Sequence, residues 1–213
     1  MSKKIVIIDY GMGNLRSIAR ACEKVKLDSK ISSSIEDILE ADALILPGVG
    51  SYATAMKNIK KLELDKAIRI AVEKGKHLLG ICLGMQLLMD YSLEFGKCKG
   101  LGLISGYCEG FNKDKLKVPL VNWNQIQIKD SDKIKKGIFE GINNLTEMYF
   151  VHSFYVILKD SKFEISSTIY GDLKYSSALN KDNIYGVQFH PEKSSQGGIQ
   201  LYKNFKKLIE NGN

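Results

Sequence analysis

The sequence predicts a single α/β domain. Its central sheet is mostly parallel and flanked by helices, with a mixed or antiparallel extension in the second half. Three observations predict this. Lys4-Ile-Val-Ile-Ile-Asp-Tyr10 is β-branched and nearly continuously apolar, as a strand buried on both faces is. Strand-like runs then alternate with stretches of helical period up to about residue 90. After about residue 100 the segments shorten, alternate in polarity and are separated by turn signals.

Each element has its own signal. Gly11-Met-Gly-Asn14 makes the turn after the first strand, and Leu15 to Val25 carries apolar residues at helical spacing (Leu15, Ile18, Ala19, Cys22, Val25). Ile31 to Ser34 reads as a short second strand, and Ala41 to Leu46 as a third, ending at Pro47-Gly48-Val49-Gly50. Helices follow near Ser51–Leu62 and Leu64–Lys74, then a strand at His77–Ile81 and a helix at Leu83–Tyr91. In the second half, strands are expected at Leu116–Val121, Met148–Ile157, Phe163–Thr168, Ser176–Ala178 and Ile184–Gln188, and a last helix at about Gly198–Glu210.

The bulk composition excludes several classes. At 213 residues and 44% hydrophobic, the chain can bury one sizeable core, and no Pro-rich or Gly/Ser-rich linker divides it. Its longest apolar stretches are too short to span a bilayer and no secretion signal is visible, so a cytoplasmic protein is expected. The formal net charge is +7, but the basic residues are nearly all lysines scattered among acids; the arginines are Arg16, Arg20 and Arg69. That reads as a solvated surface rather than a nucleic-acid site, although a pull on phosphorylated metabolites or an acidic partner remains open. The four cysteines, Cys22, Cys82, Cys98 and Cys108, show neither CxxC pairing nor zinc spacing, which fits a reducing compartment and no metal. Cys22 reads as a core residue; Cys98 and Cys108 carry no assignment.

The chemistry concentrates at Gly80-Ile81-Cys82-Leu83-Gly84. A strand leads into a cysteine flanked by glycines, and a helix follows. Glycines two residues before and two after let the backbone bend sharply, as in nucleophile elbows. A thiol just ahead of a helix also feels the positive end of its dipole. His190 is the candidate base: it follows the run Ile184–Phe189 and so belongs at a strand end, where open α/β sheets place their sites. Glu192, two residues on, points the same way at strand spacing and orients the ring. Pro47-Gly48-Val49-Gly50 is a candidate oxyanion loop. Gly11-Met-Gly-Asn14 lacks the third glycine of a dinucleotide fingerprint, Arg16 standing there, so no nucleotide cofactor is expected. His77 precedes a strand and has no assigned chemistry.

These residues resemble the class I, triad-type glutamine amidotransferases: Gly80-Ile-Cys-Leu-Gly-Met-Gln86 and His190-Pro-Glu192 carry the resemblance. Asp9-Tyr-Gly-Met-Gly-Asn-Leu-Arg-Ser17, Leu46-Pro-Gly-Val-Gly50 and Tyr149-Phe-Val-His-Ser-Phe-Tyr155 are similar to the glutaminase subunits of imidazole glycerol phosphate synthases. The resemblance covers essentially the whole chain and implies one glutamine amidotransferase domain over residues 1–213.

It implies that Cys82 attacks the glutamine side-chain amide, that His190 moves the proton, and that Glu192 orients His190. Backbone at Val49, Gly50 and Leu83, with Gly48 in the loop, would hold the oxyanion. Gln86 and the His152–Ser153 backbone would hold the amino-acid head group. No cofactor is implied. The implied partner is a (β/α)8-barrel cyclase, as a heterodimer, which takes the ammonia to make imidazole glycerol phosphate and an aminoimidazole carboxamide ribonucleotide in histidine biosynthesis. No nucleic acid or membrane partner is implied.

The family's Pro-His-x-Gly-Trp-Asn interface block reads Pro119-Leu-Val-Asn-Trp-Asn124 here: Pro119, Trp123 and Asn124 are kept, and Leu120 and Asn122 depart. The departure leaves a second reading open, a paralogue feeding ammonia to a surface-sugar (amidino-sugar) pathway through a cyclase-like partner. A non-catalytic binding subunit and a thiol peptidase are the readings from other classes. The complete Cys82, His190 and Glu192 set speaks against the first, and Gln86 with the Tyr149–Tyr155 block against the second.

Overall fold

The computed structural model describes residues 3–131, 134 and 137–212. In the first half, β1 (Ile5–Ile8), α1 (Leu15–Lys24), β2 (Ser29–Ser32), α2 (Ile35–Glu40), β3 (Ala43–Leu46), α3 (Tyr52–Lys61), α4 (Leu64–Glu73), β4 (His77–Ile81) and α5 (Leu83–Leu87) follow in turn. The second half adds β5 (Tyr91–Ser92), β6 (Cys98–Lys99), β7 (Gly106–Gly110), β8 (Leu120–Gln125), β9 (Gln127–Ile128), β10 (Glu147–His152), β11 (Phe154–Leu158), β12 (Glu164–Tyr170), β13 (Leu173–Lys181), β14 (Ile184–Val187) and a last helix (Ser195–Asn211).

The main sheet runs β2-β1-β3-β4-β14-β13-β12-β9. Its first five strands are parallel and the rest antiparallel, the mixed sheet expected from sequence. β8 pairs with β10 in a small second sheet, and β11-β7-β5-β6 form a third. Every residue of β1, β3, β4 and β14 is buried, because helices cover both faces. Alternate residues serve the two faces. Ile5, Ile7, Ile45 and Leu79 pack with Ile18 of α1 and with Leu201 and Phe205 of the last helix. Val6, Ile8, Leu44 and Leu78 pack with Ile38 of α2, Ile59 of α3 and Ile68 of α4. Among the described residues no helix is long and apolar enough to cross a membrane.

Four expectations are corrected. The helix after Cys82 ends at Leu87 rather than Tyr91. Its last carbonyls are taken from outside: Leu87 O accepts from Leu101 N–H, and Leu88 O from Leu103 and Ile104 N–H. The strand expected at Leu116–Val121 begins only at Leu120. Asn112 closes a turn on the N–H groups of Asp114, Lys115 and Leu116, and Pro119 has no N–H to offer a ladder. Met148–Ile157 is two strands, because the chain changes sheets at Ser153 between β10 and β11. Helix α2 was not expected; Ser34 caps it, its hydroxyl accepting from Asp37 N–H at 3.3 Å.

Candidate active site

β4 and β14 are parallel neighbours, so the residues that leave their carboxyl ends emerge side by side. Cys82 leaves β4 and His190 leaves β14 three residues after Val187, whose carbonyl accepts from Cys82 N–H at 2.8 Å. The bend at the cysteine differs from the expected one. Cys82 itself holds the left-handed turn (φ 53°, ψ −109°), and no positive φ falls on Gly80 or Gly84. Those glycines are needed for space. A Cβ on Gly84 would lie 1.9 Å from Leu46 O, and one on Gly80 would lie 2.9 Å from the Gly84 backbone. The elbow therefore wedges the start of α5 against the end of β3.

His190 is held from several sides. Its N–H donates to Tyr149 O at 2.9 Å, and its carbonyl accepts from the Ser194 hydroxyl at 2.7 Å. Nδ1 lies 2.8 Å from Glu192 Oε1, both side chains being almost wholly buried. A carboxylate only accepts, so Nδ1 carries the proton. Glu192 is not at strand spacing: it sits in a 3-10 turn, Pro191–Lys193, which folds the carboxylate back onto the ring. The other ring nitrogen, Nε2, is left to pair with the Cys82 sulfur. Burial opposes the imidazolium, but the charges of Cys82 and Glu192 outweigh it, and the ring is pushed up to about 10.

The cleft of about 230 Å³ between these strand ends is lined by Val49, Gly50, Cys82, Leu83, Gln86, Glu94, Pro119, Val151, His152, Ser153, Phe154 and His190. It thus gathers Cys82, His190, Val49, Gly50, Leu83, Gln86, His152, Ser153 and Pro119 of the residues singled out in the sequence, while Gly48, Glu192, Trp123 and Asn124 do not line it. Larger grooves, of about 610 and 700 Å³, lie along α1 and β2 and beside β13, away from the cysteine and histidine. Gly48 lies just behind the cleft, where a Cβ would meet Leu83 Cβ at 2.6 Å and Tyr10 Oη at 2.7 Å. Tyr10 pins the loop by donating to Pro47 O at 2.7 Å. Gly50 takes φ +115°. Leu83 N–H opens α5, with no preceding turn to accept it.

Gln86 donates through Nε2 to Phe154 O at 2.8 Å and to Gln188 Oε1 at 3.1 Å. His152 Nδ1 faces Phe154 O at 2.9 Å and therefore carries the proton, leaving Nε2 to accept from the Tyr175 hydroxyl at 3.1 Å. Burial drives its pKa down to about 3, so the ring is neutral. His77 begins β4, at the far end from Cys82, and burial lowers its pKa too.

Around the cleft, Pro119 stands at the rim and Trp123 is 41% exposed, edge-on to Tyr149 at 5.9 Å. Asn124 is placed apart from them: it is half-buried, with its amide donating to Ile169 O at 3.3 Å. Of the two departing residues, Leu120 is a buried core residue and Asn122 is exposed.

Sequence reading missed Gln188 and Glu94. Gln188 is fully buried, and its Nε2 lies 3.6 Å from Cys82 Sγ. Its place just before Phe189-His190 was the available signal. Glu94 comes from the β5–β6 hairpin and accepts from Tyr52 N–H at 2.6 Å; no spacing announces it. Cys22 is a core thiol that burial pushes up to about 12, and Cys108 is buried beneath α5, with Sγ 3.6 Å from Gln86 O. No group of three or more His, Cys, Asp or Glu side chains placed to hold a metal occurs among the described residues.

A buried Cys–His–Glu line at the ends of two parallel strands is the signature of a thiol amidotransferase of the α/β type, and the chain belongs to the class I glutamine amidotransferase family, whose model matches residues 6–208. Within that family it is similar to imidazole glycerol phosphate synthase subunit HisH of Caldanaerobacter subterraneus subsp. tengcongensis, 45% identical over 97% of this chain and 98% of the relative. The HisH 1 subunit of Campylobacter jejuni strain 81-176 is 45% identical over 96% of this chain and all of the relative, and the HisH subunit of Aquifex aeolicus 42% over 97% and 98%. The structure of PurLQS from Thermotoga maritima shares the fold, with a TM-score of 0.75 at 18% identity, covering 98% of this chain and all of that one.

Proposed function

We propose that this chain is the glutamine-hydrolysing subunit of an imidazole glycerol phosphate synthase, with residues 1–213 forming one amidotransferase domain. The observation that carries the proposal is the line from Glu192 Oε1 through His190 to the cleft that holds Cys82. The thiolate of Cys82 attacks the side-chain amide carbon, forming the S–C bond, and the carbonyl electrons move onto oxygen. Leu83 N–H and the Val49–Gly50 backbone receive that oxyanion. His190 Nε2–H then protonates the departing nitrogen, the C–N bond breaks and ammonia leaves a thioester. The ring, now a base, takes a proton from water, whose oxygen attacks the thioester and releases glutamate and the thiolate. Glu192 holds Nδ1–H throughout, so the nitrogen in use is always Nε2.

The head group of glutamine needs a carboxylate for its ammonium and donors for its carboxylate. Glu94 supplies the first, and the His152–Ser153 backbone and Gln86 line the same cleft. Ammonia that reaches bulk water is protonated and lost to further reaction, so the cleft must open onto a partner. The exposed rim at Pro119 and Trp123 fits a (β/α)8 cyclase docked as a heterodimer in a cytoplasmic enzyme. Labelling with 6-diazo-5-oxo-norleucine in the presence of the partner tests the proposal. Modification at Cys82, absent in Cys82→Ala, supports it; an unmodified Cys82 contradicts it.

A further inference from the structure

We infer that Gln188 is a further catalytic group of this site: its side-chain N–H donates to the Cys82 sulfur and stabilises it as a thiolate. The inference rests on Cys82 being the nucleophile and goes beyond the triad.

The geometry assigns the direction of the bond. Gln86 Nε2 donates to Phe154 O, a backbone acceptor, and to Gln188 Oε1. With its oxygen committed to Gln86, Gln188 can turn only its NH2 group toward Cys82, and Nε2 stands 3.6 Å from Sγ. The relay is thus fixed at a main-chain carbonyl of β11 and ends on the nucleophile. Gln188 itself cannot swing away, being fully buried, with its N–H donating to Ser177 O at 2.9 Å.

The bond is selective for the ionised state. A thiol can donate its proton to Val151 O, 3.7 Å away. On ionisation that carbonyl becomes a repulsive neighbour, and the Gln188 N–H becomes a charge-assisted donor. The other groups facing the sulfur are His190 from the end of β14, Tyr10 from the end of β1 and Tyr175 from β13. Burial raises both tyrosines, which stay neutral, and His152 behind Tyr175 is neutral as well. Besides the imidazolium, Gln188 is the side-chain donor aimed at the sulfur among the described residues.

Gln188→Met keeps length and volume and removes the donor. The test is the rate of Cys82 alkylation by iodoacetamide across pH in the full-length chain, located by peptide mass spectrometry, with the unfolding midpoint as the fold control. The expected result is about tenfold slower alkylation near neutral pH, with the half-maximal rate moved to higher pH. A folded Gln188→Met with the wild-type rate and profile overturns the inference while leaving the nucleophile intact. A wild-type Cys82 that reacts no faster than Cys98 contradicts instead the reading on which the inference rests. Should Gln188→Met not fold, the Gln188 side-chain amide proton resonance in the wild-type chain decides. It shifts across the pH interval in which Cys82 alkylation rises, and a resonance that stays put overturns the inference.

Discussion

Cys82 occupies a left-handed backbone conformation that costs a non-glycine residue of the order of 1–3 kcal/mol, and the surrounding elbow holds it there. The return is placement: the thiol stands clear of both β4 and α5 and faces the base. On the proposed mechanism, His190 governs the pH response. Its pKa is raised above the ordinary value, so the imidazolium persists through neutral pH and is lost as pH rises through about 10. Proton delivery to the leaving nitrogen fails in that window, and whatever stability the pairing contributes, full below the ordinary histidine value, fades there too. The alkaline limb of glutamine hydrolysis by the assembled enzyme is therefore expected near pH 10. A limb near 6.5 would show an ordinary imidazole. His152 adds no second titration to that profile, since it is neutral above about 3.

At the scale of elements, the site depends on how closely β3, β4 and α5 approach. Gly84→Ala places a methyl group 1.9 Å from Leu46 O, a backbone atom that cannot yield cheaply. Destabilisation of about 2 kcal/mol or more is expected, read from denaturant unfolding, with loss of glutaminase activity. Ser34→Ala, which removes the α2 cap far from the cleft, is expected to cost only about 1 kcal/mol and to spare activity.

The central parallel strands were legible because strands buried on both faces write continuous apolar runs, as Ile5–Ile8, Ala43–Leu46 and His77–Ile81 do, whereas the edge strand β2, with no buried residue, lies at Ser29–Ser32 rather than the expected Ile31–Ser34. Helix α2 left only a capping pattern, Ser34 to Asp37, over six residues with a single buried side chain. The early end of α5 was not legible, since segment 101–104, which takes its carbonyls, is remote from the helix's own period. Cys82, His190 and Glu192 could be read from local motifs. Gln188 and Glu94 acquire their places only when β14 lies beside β4 and the β5–β6 hairpin folds over α3.

For the whole molecule, the question is where the ammonia goes. Val121 and Trp123 of β8 lie across from Val151 and Tyr149 of β10, and Lys193 stands 5.5 Å over the Tyr149 ring. Val121 and Trp123 are exposed, and Val151 lines the cleft, so an apolar face runs from open surface to the nucleophile. A partner seated on that face would seal the mouth. Trp123→Ala is expected to weaken the complex by about 2 kcal/mol, roughly thirtyfold, while the isolated chain keeps its unfolding midpoint; calorimetric titration with the partner reads it. The most direct measurement is glutamate release from glutamine by the chain alone, with the cyclase of the same cell, and with that cyclase plus its nucleotide substrate. The account predicts strong stimulation in the last mixture, abolished by Cys82→Ala. No stimulation, with Cys82 still labelled by the glutamine analogue, would contradict it and assign the ammonia to another acceptor, such as an amidino-sugar pathway.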